Sequence, residues 1–145
     1  MSPFEAKFEV QWGDLDSNNH LRNTGYLDYA AQTRMLYFAA HDFTPDAFAQ
    51  HAIGPVVLED NVSYRRELRL LQPFRVQLAC AGLSDNGAKF MLENTFLRED
   101  GKLCAKVRSR GIWMDLRSRK TLPPPVGLKR AMEDLVQTDD FAELR

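Results

Sequence analysis

Residues Val10 to Tyr29 read VQWGDLDSNNHLRNTGYLDY. Within them, Asp14 to Asn23 holds two carboxylates, three asparagines and a histidine. An alternating segment precedes this turn and a very apolar one follows it. Before it, Phe4, Ala6, Phe8, Val10 and Trp12 alternate with Glu5, Lys7, Glu9 and Gln11, the period of a half-buried strand. After it, Tyr26 to Ala40 (YLDYAAQTRMLYFAA) is apolar at eleven of fifteen positions, and Asn23 or Thr24 can cap the start. Such a helix is expected to be buried most of the way round. Polar groups crowded between two apolar elements mark a turn with a chemical job, because loops on a rigid scaffold carry much of a protein's chemistry.

Outward from this turn the chain reads as strands. Gly54-Pro55 opens a long one running toward Gln72-Pro73, and Phe74 to Gly82 is a second. Asp85-Asn86-Gly87 and Asp100-Gly101 are hairpin signals, since Asn-Gly and Asp-Gly accept positive φ. They separate a strand over Ala88 to Arg98 from one over Lys102 to Leu116. Pro123-Pro124-Pro125 ends the ladder. From Gly127 an amphipathic helix through Leu128, Ala131, Met132 and Leu135 is expected, then a charged, fraying tail. The fold class is α+β: a long antiparallel sheet of about five strands curled around one apolar helix. Residues 1–122 form the domain and 123–145 a tail.

Bulk properties exclude several classes. The 145 residues suffice for one core, and a net charge of −1 creates no field that attracts nucleic acid or membrane. The start, MSPFEAKFEV, lacks the basic and apolar runs of a signal peptide, and no 18-residue apolar stretch exists to span a bilayer. Cys80 and Cys104 lie in expected strands without CxxC spacing and read as reduced core thiols in a cytoplasmic protein. Asp14-x-Asp16-x-Asn18 begins like a calcium loop. However, Asn19 and Gly25 stand where that loop wants glycine and glutamate. One histidine without a nearby cysteine makes a poor zinc site, so no metal is expected.

Element order and turn together resemble the hotdog fold, and the turn resembles its thioesterases. Asp16 and Tyr26 have the spacing of the catalytic aspartate and helix-start tyrosine in the 4-hydroxybenzoyl-CoA thioesterase branch. Asp14 to Tyr26, DLDSNNHLRNTGY, also resembles the plant acyl-ACP thioesterase pattern D-L-D-x-N-x-H-x-N-N-x-x-Y, departing at Arg22. The first branch has glycine at Asn19, and some acyl-CoA relatives have histidine at Asn23. The resemblance implies hydrolysis of an acyl-CoA or acyl-ACP thioester. Asp16 would be base or nucleophile, with Asn18 and His20 positioning water or the carboxylate. No separate cofactor is implied, because coenzyme A is part of the substrate. It also implies a homo-oligomer, dimer or tetramer, whose sites lie between subunits, with Glu59 reaching the partner's site.

The chemistry needs a carboxylate to activate or perform attack, plus donors for the developing oxyanion. The first-turn N–H groups near Gly25 and Tyr26 are expected to supply the donors. Arg117, Arg119 and Lys120 are candidates for coenzyme A phosphates, as are Arg65 and Arg66. Each assignment has a plain alternative. Asp16 can simply bond its own turn, His20 can be structural, Asp14 fixes the loop, and Glu59 and the arginines can be solvated surface. Two rival functions remain. A hydratase or dehydratase of the same fold wants its histidine five residues after the aspartate, whereas His20 follows Asp16 by four. A non-catalytic module would bind acyl-CoA without turnover.

Overall fold

The computed structural model describes residues 2–145. In chain order it contains β1 (Phe4–Glu9), a 3-10 turn (Trp12–Asp14), α1 (Gly25–Ala40), α2 (Pro45–His51), β2 (Ile53–Tyr64), β3 (Pro73–Ser84), β4 (Lys89–Arg98), β5 (Leu103–Asp115), α3 (Val126–Glu133) and β6 (Gln137–Leu144). The sheet runs β1-β3-β4-β5-β2 with antiparallel neighbours, and β6 adds in parallel to β3. Both hairpin signals hold: Gly87 and Gly101 sit at φ of 79° and 83°, where a side chain would be strained. The α+β architecture is as expected, with a sixth strand added.

α1 lies on the inner face of the sheet and packs chiefly against β1, β3 and β5. Its buried stripe is Tyr26, Ala30, Thr33 and Tyr37, one face of a 3.6-residue period. Asp28, Gln32 and Leu36 stay exposed, so one flank of the expected all-round burial is open in the single chain. At the C-terminal end of α1, Trp113 is fully buried among Phe38, Phe48 and Phe90, with ring centroids 5.5, 5.9 and 5.4 Å away. α2 and α3 close this end: Phe48, Leu128 and Met132 join the same cluster, and the Tyr37 hydroxyl donates to the Ala131 carbonyl. A second cluster, with Val10, Leu21, Tyr26, Phe74 and Phe96, lies at the N-terminal end.

Three expectations need correction. The strand after Gly54 stops at Tyr64, because the N–H groups of Arg65 and Arg66 both turn to the Cys104 carbonyl. A register shift between Val57 and Glu59 then interrupts the single alternation that Val56, Leu58, Val62 and Tyr64 suggest, so that Val57 faces inward ahead of it while Asp60, Val62 and Tyr64 do so after it. Finally, the tail does not fray after α3. Gln137 pairs with Cys80 and Ala142 with Gly82, so 138–141 bulges outward, and Asp140 accepts from Arg108 at 2.8 and 3.0 Å. No helix is long and apolar enough to cross a membrane.

Candidate active site

The β1–α1 turn is clipped at both ends. Tyr29, one turn into α1, donates its hydroxyl to Asp14 Oδ2 at 2.5 Å. Arg22 lies 3.8 Å from Asp14 and 3.7 Å from Asp28, and donates to the Gly13 carbonyl at 2.5 Å. Bridges Leu15–Leu21 and His20–Arg69 close the loop on itself and onto 65–72. Asp14 therefore holds the turn, as expected. Trp12 beside it is 80% exposed. Asn19 adopts φ 62°, which explains why glycine suits this position.

Asp16 sits inside the clip. Its Oδ1 accepts from the N–H groups of Asn18 at 2.8 Å and His20 at 3.1 Å. The His20 backbone bond is the first cause that holds the Asp16 carboxyl below the usual carboxylate range; the Asn18 bond adds to it and partial burial opposes it. Oδ2 has no donor among the described residues. So Asp16 does bond its own turn, and one oxygen remains free. A cavity of about 300 Å³ opens here, lined by Asp16, His20, Asn23, Tyr26, Arg66 and Glu67 among others. Tyr26 forms its floor, edge-on to Tyr64 and Phe96 at 5.3 and 5.1 Å, and burial pushes its phenol pKa upward.

The other sequence candidates divide. His20 lines this cavity, but Asn18 does not: it is exposed and contributes its backbone N–H. The asparagine at the cavity is Asn23, whose backbone carbonyl accepts from the Tyr64 hydroxyl at 2.8 Å. The Gly25 N–H is not free, because it donates to the Arg22 carbonyl at 2.9 Å. Packing is close there: an added Cβ would lie 2.7 Å from Leu21 Cδ1, so Leu21 would have to shift. Thr24 holds the N-cap position without capping, and its hydroxyl accepts from Arg22 instead.

Glu59 is not brought to Asp16 within one chain. It pairs in register with Arg110 on the outer face, while Asp60 pairs with buried Ser109 on the face toward α1. Arg117, Arg119 and Lys120 form an exposed turn that follows Asp115, which pairs with Ile53. That is the end of β2 opposite Tyr64, about 35 Å along the strand. Arg65, Arg66 and Glu67 line the cavity instead. An expected strand through Leu70 concealed them; the signal lay in Arg65-Arg66 itself, a charged pair that interrupts the apolar alternation.

Several solved proteins share this architecture. SAV2348 from Staphylococcus aureus, a hypothetical protein solved in complex with CoA, is 20% identical with a TM-score of 0.83, over 91% of this chain and 82% of that one. Slr0204 from Synechocystis, a 1,4-dihydroxy-2-naphthoyl-CoA thioesterase, is 14% identical with a TM-score of 0.81, over 92% and 98%. AQ1494 from Aquifex aeolicus, a hypothetical protein, is 19% identical with a TM-score of 0.82, over 90% and 99%. At these identities the likeness is one of fold. No curated protein matches the chain. The match that reaches beyond fold is to a family, and it spans residues 10–132, from the end of β1 through α3: the chain belongs to the thioesterase-like superfamily.

Proposed function

We propose that this thioesterase-family chain hydrolyses an acyl-CoA, or less readily acyl-ACP, thioester with Asp16 as its reacting carboxylate. One observation carries the reading: a carboxylate with one oxygen fixed by two N–H groups and the other free lines a cavity beside the first turn of α1. The fixed oxygen removes rotational freedom, so the free one is aimed before substrate arrives. The depressed pKa keeps Asp16 charged at neutral pH and makes it a weak base. The free oxygen, aimed into the cavity, supports attack by the carboxylate itself. Asp16 oxygen then bonds to the thioester carbon, the carbon–sulfur bond breaks, and the thiolate leaves and takes a proton from water. A second water attacks the resulting anhydride and releases the acid, and the proton left on Asp16 neutralises the hydroxide formed when the thiolate was protonated, restoring the carboxylate. The Tyr26 N–H, in the first turn of α1, is the donor for the developing oxyanion. His20 and Asn23 orient the second water.

The chain acts as a cytoplasmic homodimer in this reading. β2 is an open edge carrying exposed Val57, Leu58 and Tyr64, and such edges require a cover. Two β2 strands paired antiparallel about a two-fold axis would set the Arg117–Lys120 turn of one chain beside the Asp16 cavity of the other. Arg65 and Arg66 already stand at that cavity, so phosphates would be met from both sides.

The test is thiol release from acyl-CoAs ranging from acetyl to palmitoyl, with benzoyl and phenylacetyl, by wild type and Asp16→Asn in parallel. Turnover by wild type and a loss of about a hundredfold or more in the variant are expected. Wild type inactive on every substrate, or a fully active variant, would overturn the reading.

A further inference from the structure

A second polar cluster, away from Asp16, runs from the interior out to exposed Asp60 on β2. Asn94 on β4 and Ser109 on β5 are both fully buried, side by side with apolar inner-face residues. Arg34 of α1 reaches them: its Nη1 donates to Asn94 Oδ1 and to Ser109 Oγ, each at 3.2 Å. Ser109 Oγ in turn donates to Asp60 Oδ1 at 2.5 Å. Burial draws the Arg34 pKa down while the charge of Asp60 holds it up. Charged and amide groups are rarely carried into a core without a purpose, because each must be fully hydrogen-bonded to offset its desolvation. Here the bonding within the protein is incomplete and the remaining atoms reach the surface: among the described residues only Trp113 Nε1 is a buried side-chain polar atom without a partner. Among the described residues, Arg34 Nε and Nη2 have no acceptor and Asp60 Oδ2 has no donor.

The position of these free atoms is informative. Asp28, Tyr29 and Gln32 line a cavity on the β1 side of α1. At about 100° per residue, Leu27, Ala31 and Arg34 therefore share the opposite flank, toward β2. All three are only half-buried. Facing them across the flank, beyond the bulge, are Tyr64, Val62 and Asp60, the inner-face positions of β2. The strip between the two rows, here called the furrow, leads from the Asp16 cavity, which Tyr64 lines, to Arg34 and Asp60, which Ser109 bridges. Its length is about 10 Å along α1 and about 13 Å along β2. Apolar side chains line the middle, and a donor and an acceptor wait at the end.

We infer that this furrow holds the acyl group and that Arg34 and Asp60 read a hydroxyl at its far end. The inference rests on the thioesterase reading only for the direction in which the acyl group leaves Asp16. A hydroxyl fits because it accepts from the Arg34 guanidinium and donates to Asp60 Oδ2 at once. A terminal carboxylate would meet the charge of Asp60. A terminal methyl would strip water from both ions and return no hydrogen bond. The substrate class is a medium-length acyl-CoA hydroxylated at or near its end.

The experiment compares octanoyl-, decanoyl- and dodecanoyl-CoA with their ω-hydroxy counterparts by kcat/KM. Wild type is expected to favour a hydroxylated member over its parent by at least about tenfold. Asp60→Leu, at the open edge of the sheet, should bring that ratio to about one. Asp60→Asn, which keeps an acceptor and a donor, should retain most of it, and thermal melts of each variant report folding. A wild-type ratio below about two, or a ratio unmoved by Asp60→Leu, overturns the inference. Calorimetric titration of Asp16→Asn protein with decanoyl- and 10-hydroxydecanoyl-CoA reads the same preference without turnover. If hydrolysis is absent but the hydroxylated ligand binds about tenfold tighter, the furrow stands and the hydrolase reading falls. Equal binding, or none, removes the furrow whatever the hydrolysis result.

Discussion

The two ends of α1 are built on opposite terms. At its C-terminal end, α2 and α3 seal an aromatic cluster around Trp113, and almost nothing there is polar. At its N-terminal end a second apolar cluster is covered by the β1–α1 turn, which adds hydrogen bonds and ion pairs to the burial of Leu21. The difference separates stability from chemistry. Apolar packing fixes the helix against the sheet at both ends but is sealed at one. The other end is free to keep a carboxylate partly hydrated, a cavity open and an edge strand uncovered.

Mutations can break this comparison. The largest effect is expected from Trp113→Ala, which should cost about 3–5 kcal/mol of stability in chemical denaturation. At temperatures where the variant remains folded, its kcat/KM should change little. Asp16→Asn should do the reverse, losing the hundredfold in rate, about 3 kcal/mol of barrier, with a melting temperature close to wild type. Parallel loss of both properties in either variant would erase the division. Tyr29→Phe tests the clip between the two regimes. It removes a bond to a charged partner and should cost about 2 kcal/mol in denaturant while lowering the rate several-fold.

The smallest effect concerns pH. The carboxyl of Asp16 titrates below its ordinary value of 3.8 in the folded chain. The folded pKa being the lower one, its contribution to stability is complete above the unfolded value and disappears as pH falls through the folded value, below about pH 4. Between pH 4 and 8 the group stays ionised, so kcat/KM should show no acid limb from Asp16 in that range. A limb centred above pH 4 that vanishes in Asp16→Asn protein would contradict the hydrogen-bonded geometry.

Much of the architecture was legible in the sequence because its signals are local. Asn86-Gly87 and Asp100-Gly101 dictate turns, and the apolar run from Tyr26 dictates α1. The turn itself was legible from its spacing, but not that Asn19 is its left-handed residue. What was hidden depends on contacts remote in sequence. The bulge in β2 follows from its pairing with β5, and it puts Val57, not Val56 or Leu58, on the face of Asp60 and Val62. The strand QTDDFAEL carries little β signal of its own and exists because β3 has an edge beyond β1 to offer. Asn23 and Glu67 enter the candidate site only because His20 and Leu21 run beside Leu68 and Arg69. The packing of Gly25 against Leu21 was not legible, because it too depends on how the turn folds back.

The chain carries two tryptophans, and they report on different ends. Trp12 stands in water at the turn, whereas Trp113 is sealed in the aromatic cluster. Their emission should accordingly separate, red-shifted and open to iodide for the first, blue-shifted and shielded for the second. A single cuvette can therefore follow ligand arrival at the turn and loosening of the core as two distinct optical signals, without any added label.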